Sequence, residues 1–141
     1  MSDERLAGWN NQKTAFDFAE QREFGPGLRG ALLYADLGVA EATGGQFRAH
    51  VIRVNKDRHT EQGTTGMHRH EYDFQFNYVI RGSITFVVDG EEGELTFKEG
   101  DTYLLPSRIF HNETWMSDDY EVLEIYAPAN AGTQQLTPEI E

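Results

Sequence analysis

From residue 29 onward, apolar residues recur in short runs separated by Gly, Asp and Asn, and within several runs they alternate with polar ones. Alternation with a period of two marks a strand with one buried face, because successive side chains leave opposite sides of a pleated chain. The pattern predicts strands over 31–37, 46–54, 73–81, 83–89, 94–98, 102–105, 111–116 and 120–127. In one of them Ile84, Phe86 and Val88 share a face, and in another Gln75, Asn77 and Val79 do. In the last strand Leu123 and Ile125 are expected to face the core. Residues 89–93 and 99–101 read as turns, and 55–66, without apolar periodicity, as a loop at the mouth of the fold.

Eight short strands with no helix-length segment between them predict an all-β antiparallel sandwich or barrel and exclude parallel α/β architectures. Residues 1–28 differ in pattern and are expected to form an N-terminal arm. Within it 14–23 predicts a short helix capped by Thr14, which Gly25-Pro26-Gly27 then breaks. The barrel is expected over 29–127, followed by a tail, 128–141, with little to pack.

At 141 residues the chain fits one domain, and it is long enough to bury a core without a structural metal. The absence of Cys excludes disulfides, Cys-based zinc sites, iron–sulfur clusters and a thiol nucleophile. A net charge of −12 with no basic cluster argues against nucleic acid as a partner. No apolar stretch approaches the ~20 residues of a membrane span, and the polar first residues do not resemble a signal peptide. The expectation is a soluble, cytoplasmic protein. Several arginines (Arg48, Arg53, Arg81) fall inside apolar stretches, and planar guanidinium suits carboxylate recognition.

The chemistry concentrates in histidine. Four of five lie between 59 and 111. In a strand His68 and His70 project to the same side, so both imidazoles can aim at one point. His111, at the start of a later strand, can complete a three-imidazole set for a divalent transition metal. The same parity puts Glu113 and Trp115 on the face of His111, Glu113 as an acid or base and Trp115 as a cavity wall. Asn77, Tyr103 and Arg108 are further candidates for a substrate pocket: Asn77 shares the face of Gln75, Tyr103 offers a hydroxyl, and Arg108 sits in the turn before His111.

Two stretches resemble the paired motifs of the cupin superfamily. Gly63, His68, His70, Gln75 and Gly82 fall along the first, and Gly100, Pro106 and His111 at positions of the second, which runs to Trp115. The resemblance implies a jelly-roll barrel, a homodimer paired through the arm, and a metal (Fe, Zn, Ni or Mn) held by His68, His70, Gln75 and His111. There are departures: Gln75 replaces the usual Glu, Gly63 is one residue closer to the histidines than usual, Arg108 replaces a Gly, and Trp115 replaces an Asn. A neutral amide at Gln75 leaves the ion more positive and favours anionic oxygen ligands; Gln75 can alternatively hydrogen-bond a metal-bound water, with Glu71, Asp73 or Glu113 supplying a carboxylate. The resulting expectation is a metal-dependent enzyme for a small acidic, oxygenated molecule, either a dioxygenase or an isomerase, cyclase or decarboxylase. The alternative is a non-catalytic module that binds metal or a small ligand.

Overall fold

The computed structural model describes residues 8–57 and 65–137. His59 and Gly63 lie outside them. Ten strands follow in order: β1 (Leu32–Asp36), β2 (Arg48–Val54), β3 (His68–His70), β4 (Phe74–Arg81), β5 (Ser83–Val88), β6 (Glu94–Lys98), β7 (Thr102–Leu104), β8 (His111–Met116), β9 (Glu121–Ala127) and β10 (Thr133–Gln135), with one short helix, α1 (Val39–Ala42), between β1 and β2. They form two five-stranded antiparallel sheets, ordered β1-β2-β9-β4-β7 and β10-β3-β8-β5-β6. No helix among the described residues is long and apolar enough to cross a membrane.

The core lies between the sheets. Ile52, Val54, Val79 and Val122 reach it from one sheet and Ile84, Phe86, Val88 and Met116 from the other. Burying each side chain of this size contributes about 1.5–3 kcal/mol. Alternation holds where it is clearest: Gln75, Asn77 and Val79 are buried along β4, and Ile84, Phe86 and Val88 along β5. Gly82, the corner between these strands, has φ +72°, and a Cβ there would lie 2.7 Å from the Tyr120 backbone, so only glycine fits.

Four expectations are corrected. The helix expected over 14–23 is absent; this segment holds only a 3₁₀ turn, Ala19–Gln21. Phe16 and Phe18 are exposed, so no apolar face rewards the cost of helix nucleation. The tail is not idle, because β10 pairs with β3. Its residues are polar and are held by backbone pairing and side-chain hydrogen bonds, which leave no hydrophobic signal. In β9 the inward residues are Val122, Glu124 and Tyr126, which line the interior cavity described below; Leu123 and Ile125 take the other face. The charged member of the inward row is tolerated because both its oxygens find donors. Lastly, Trp115 does not share the face of His111. Phe86 pairs with Glu113 but Thr85 with Trp115, so Thr114 is the extra residue of a β-bulge. The bulge shifts parity by one and turns Met116 inward in place of Trp115.

Candidate metal centre

His68 and His70 lie on β3 and His111 at the start of β8, directly opposite His68 in the pairing of these strands. One ring nitrogen of each lies within 4.8 Å of the others. The remaining nitrogens are engaged: Nδ1 of His68 with the carbonyl oxygen of Gly66 at 2.7 Å, Nδ1 of His70 with Thr133 Oγ1 at 2.8 Å, and Nδ1 of His111 with the carbonyl oxygen of Ile109 at 3.4 Å. Such outer contacts set ring orientation and tautomer, leaving each Nε2 lone pair to converge on a common point. Burial holds His70 down at about 4 and lowers His68 as well, so both imidazoles are neutral near pH 7 and suited to bind a cation. Three convergent imidazoles, His68 and His111 buried and His70 half-buried, are a donor set that fits a divalent transition ion.

Glu113 follows on β8. Its Oε1 is 3.4 Å from Nε2 of His111 and its Oε2 3.6 Å from Nε2 of His68. Thr65 donates its hydroxyl to Oε2. Burial pushes the Glu113 carboxyl up, but His111, His68 and the Thr65 hydroxyl outweigh it and hold the group well below the usual carboxylate range. Burial also lowers His111, yet the facing Glu113 raises it overall. The carboxylate is therefore ionised, fixed and directed at two of the three convergent nitrogens.

Gln75 is 4% exposed and donates Nε2 to Glu124 Oε2 at 2.6 Å. Its amide oxygen accepts no hydrogen bond among the described residues. The second oxygen of Glu124 meets Nε2 of His50 at 2.6 Å. Burial raises the Glu124 carboxyl, while His50, His70 and the Gln75 amide bring it below its ordinary value.

A cavity of about 650 Å³ opens beside these groups. His68, His70, Glu113, Glu124 and His50 all reach its wall. Of the pocket candidates, Asn77 and Tyr103 line it. Asn77 is 1% exposed, and its Nδ2 has no hydrogen-bond partner among the described residues. Tyr103 is bonded to the Tyr120 hydroxyl at 3.1 Å, so its polar end is already engaged. Trp115 and Arg108 are not on the wall. The bulge accounts for Trp115; Arg108 is exposed in its turn with φ +72°, the left-handed conformation that a glycine adopts freely.

Four residues of this region carry no signal in the histidine motifs. Arg29, 7% exposed, donates to the Thr65 carbonyl at 3.3 Å and to Gln135 Oε1 at 3.2 Å, and it lines the cavity. Glu124 and His50 sit directly opposite one another on neighbouring strands. Thr133 comes from the polar tail. The one available clue was the alternation Val122, Glu124, Tyr126, in which a carboxylate interrupts an otherwise buried row.

The cupin domain family matches residues 59–126, a span that contains all three histidines and Glu113. Over that span the chain carries a cupin domain. Solved cupin-like folds superpose over most of it. A cupin from Shewanella frigidimarina is 22% identical, with a TM-score of 0.61 over 84% of this chain and 95% of that one. The polyketide cyclase RemF from Streptomyces resistomycificus is 14% identical, with a TM-score of 0.68 over 87% of this chain and 85% of that one. Oxalate decarboxylase from Bacillus subtilis is 19% identical, with a TM-score of 0.63 over 94% of this chain but 34% of its own. At these identities the likeness is one of fold. None of the curated proteins matches the chain in sequence. Arg29, His50 and β10 lie outside the matched span, so this cupin completes its cavity with segments on either side of the shared domain.

Proposed function

We propose that this cupin is a metal-dependent enzyme that transfers protons on a small, acidic, oxygen-rich molecule, in the class of isomerases, cyclases or decarboxylases. The observation that carries the reading is the ionised Glu113 carboxylate held beside the convergent Nε2 atoms of His68 and His111, at the wall of a cavity of small-molecule size.

His68, His70 and His111 would hold a divalent ion, with Gln75 as the fourth candidate ligand. Such an ion supplies Lewis acidity toward a carboxylate or enolate oxygen. The chain's own residues do the rest. Glu113 is placed to take a proton from the substrate carbon or oxygen next to the site and to return it, with Thr65 fixing the carboxylate's orientation. Arg29 gives the wall a buried positive charge suited to a substrate carboxylate. Asn77 offers an unpaired amide N–H to a substrate oxygen. Ile52, Ile84 and Met116 exclude water from the inner end of the cavity. A cyclase and a decarboxylase among the structural neighbours support this reaction class.

We also infer a homodimer. Phe74, Tyr78 and Leu104 are exposed on the neighbouring strands β4 and β7, and Trp9, Phe16 and Phe18 are exposed on the arm; exposed apolar residues grouped in this way suit a contact with a second copy.

The test is elemental analysis of the full chain purified without an affinity tag, followed by assays on keto-acids and uronates with the metal found. Stoichiometric metal with turnover supports the proposal. Metal with tight binding of acidic molecules but no turnover favours the non-catalytic binding module instead. Oxygen consumption with catechol-like or 1,3-dicarbonyl substrates overturns the proton-transfer class in favour of a dioxygenase.

A further inference from the structure

His50 on β2 lies directly opposite Glu124 on β9, and Gln75 on β4, which pairs with Tyr126, reaches the same carboxylate diagonally from the other side. The carboxylate in the middle accepts from both sides, at 2.6 Å from His50 Nε2 and 2.6 Å from Gln75 Nε2. We infer that Glu124 is a positioning residue for the metal centre: it fixes the amide of Gln75 so that its oxygen is the end free to bind the ion, and its own negative charge stays one hydrogen bond behind that amide. The inference rests on the metal-centre reading above.

The argument is one of donors and acceptors. An ionised carboxylate only accepts, so the end of the Gln75 amide that meets it must be the NH2. Turning the amide over would set two acceptors face to face and break a charge-assisted hydrogen bond in a buried place. Glu124 cannot swing away to relieve this, because His50 holds its other oxygen. His50 is in turn packed between Tyr34 and Tyr126, with ring centroids 5.6 and 5.5 Å away. Gln75 thus has one orientation, with Oε1 meeting no donor among the described residues. The negative charge behind the amide polarises it and strengthens Oε1 as a donor to a cation, as outer carboxylates do for metal-bound imidazoles.

The experiment titrates the metal-free full chain with Zn(II) and Mn(II) by calorimetry, for the wild type, Glu124→Gln, Gln75→Glu and the double variant that exchanges the two. Glu124→Gln removes the charge and lets the amide face either way, and its affinity should fall by about 10–100-fold. Gln75→Glu sets two carboxylates against each other and should also bind more weakly. The exchanged pair restores one donor against one acceptor and should recover to within about threefold of wild type, a rescue that contacts acting independently do not produce. A double variant no tighter than the weaker single, or a Glu124→Gln affinity equal to wild type, overturns the inference. Circular dichroism establishes that each variant is folded. A readout that needs no metal is the side-chain amide resonance of Gln75 in the metal-free protein: a strong downfield shift that collapses in Glu124→Gln supports the pairing, and an unshifted resonance overturns it. A wild-type chain that binds neither ion overturns the metal-centre reading instead, and the pairing is then judged by that resonance alone.

Discussion

The Glu113 carboxylate lies 3.4 Å from Nε2 of His111, the nitrogen that the contact of Nδ1 with Ile109 leaves free for a metal. A carboxylate held there by a threonine hydroxyl has the position of an acid–base group. Glu113→Gln keeps the size of the side chain and an acceptor for Thr65 while removing the basic oxygen. Metal content should stay stoichiometric by elemental analysis, and turnover should fall by about 10²–10⁴-fold. Loss of the metal in this variant would make Glu113 a ligand instead.

Thr133 is the least conspicuous member of the centre, since it holds Nδ1 of His70 from the tail. His111→Ala should abolish stoichiometric metal, because it removes a convergent nitrogen. Thr133→Val removes only the outer contact and should weaken Zn(II) binding about 10-fold by calorimetry. Unchanged affinity would show that β10 does not orient His70.

The bulge at Thr114 makes neighbouring residues differ sharply. Met116 is 5% exposed and packs in the core, so Met116→Ala should cost about 2–5 kcal/mol in chemical denaturation. Trp115→Ala should leave metal affinity unchanged, since the indole is not on the cavity wall. A large drop in metal or ligand affinity for Trp115→Ala would place the ring in the cavity and refute the bulge.

Arg108 carries φ +72° in an exposed turn. A non-glycine residue there costs about 1–2 kcal/mol, while glycine costs about 0.5–1 kcal/mol in unfolded-chain entropy. Arg108→Gly should therefore raise stability by roughly 0.5–1 kcal/mol, seen as a higher melting temperature, with metal binding unaltered. A lower melting temperature would mean that the arginine side chain stabilises the turn.

Burial raises the phenols of Tyr34, Tyr72, Tyr103 and Tyr120 above their ordinary value. An acid with a raised pKa holds its proton more tightly in the folded chain than in the unfolded one. Its contribution is complete below the unfolded value of about 10 and is lost as pH rises beyond it. Alkaline titration at 295 nm should show no phenolate from these four tyrosines until the chain unfolds, and the unfolding transition should move to lower denaturant above about pH 10. Reversible ionisation of all of them in the folded state would contradict the burial.

Much of the architecture is visible in the chain because alternation and turn chemistry are local. The eight strands expected from the pattern all form, with ends displaced by up to two residues. The histidine set is equally legible: two imidazoles two residues apart on a strand share a side by covalent geometry alone. The arm helix failed because Phe16 and Phe18 supply apolar residues without a surface to bury them, a condition no local pattern reports.

The sequence by itself determined the all-β class, the sheet faces of β4 and β5, the converging histidines and the presence of Glu113 two residues after His111. Tertiary structure alone decided that Trp115 turns away and Met116 turns in, because a bulge arises from the pairing of two strands and is invisible in either. It also decided that Glu124 points inward. A carboxylate in a buried row is unfavourable until His50 and Gln75 arrive from the flanking strands to satisfy both oxygens, and those donors are 74 and 49 residues away along the chain. Thr133 and Arg29 belong to the same group: polar side chains whose placement depends on partners that only the folded sheets bring within reach.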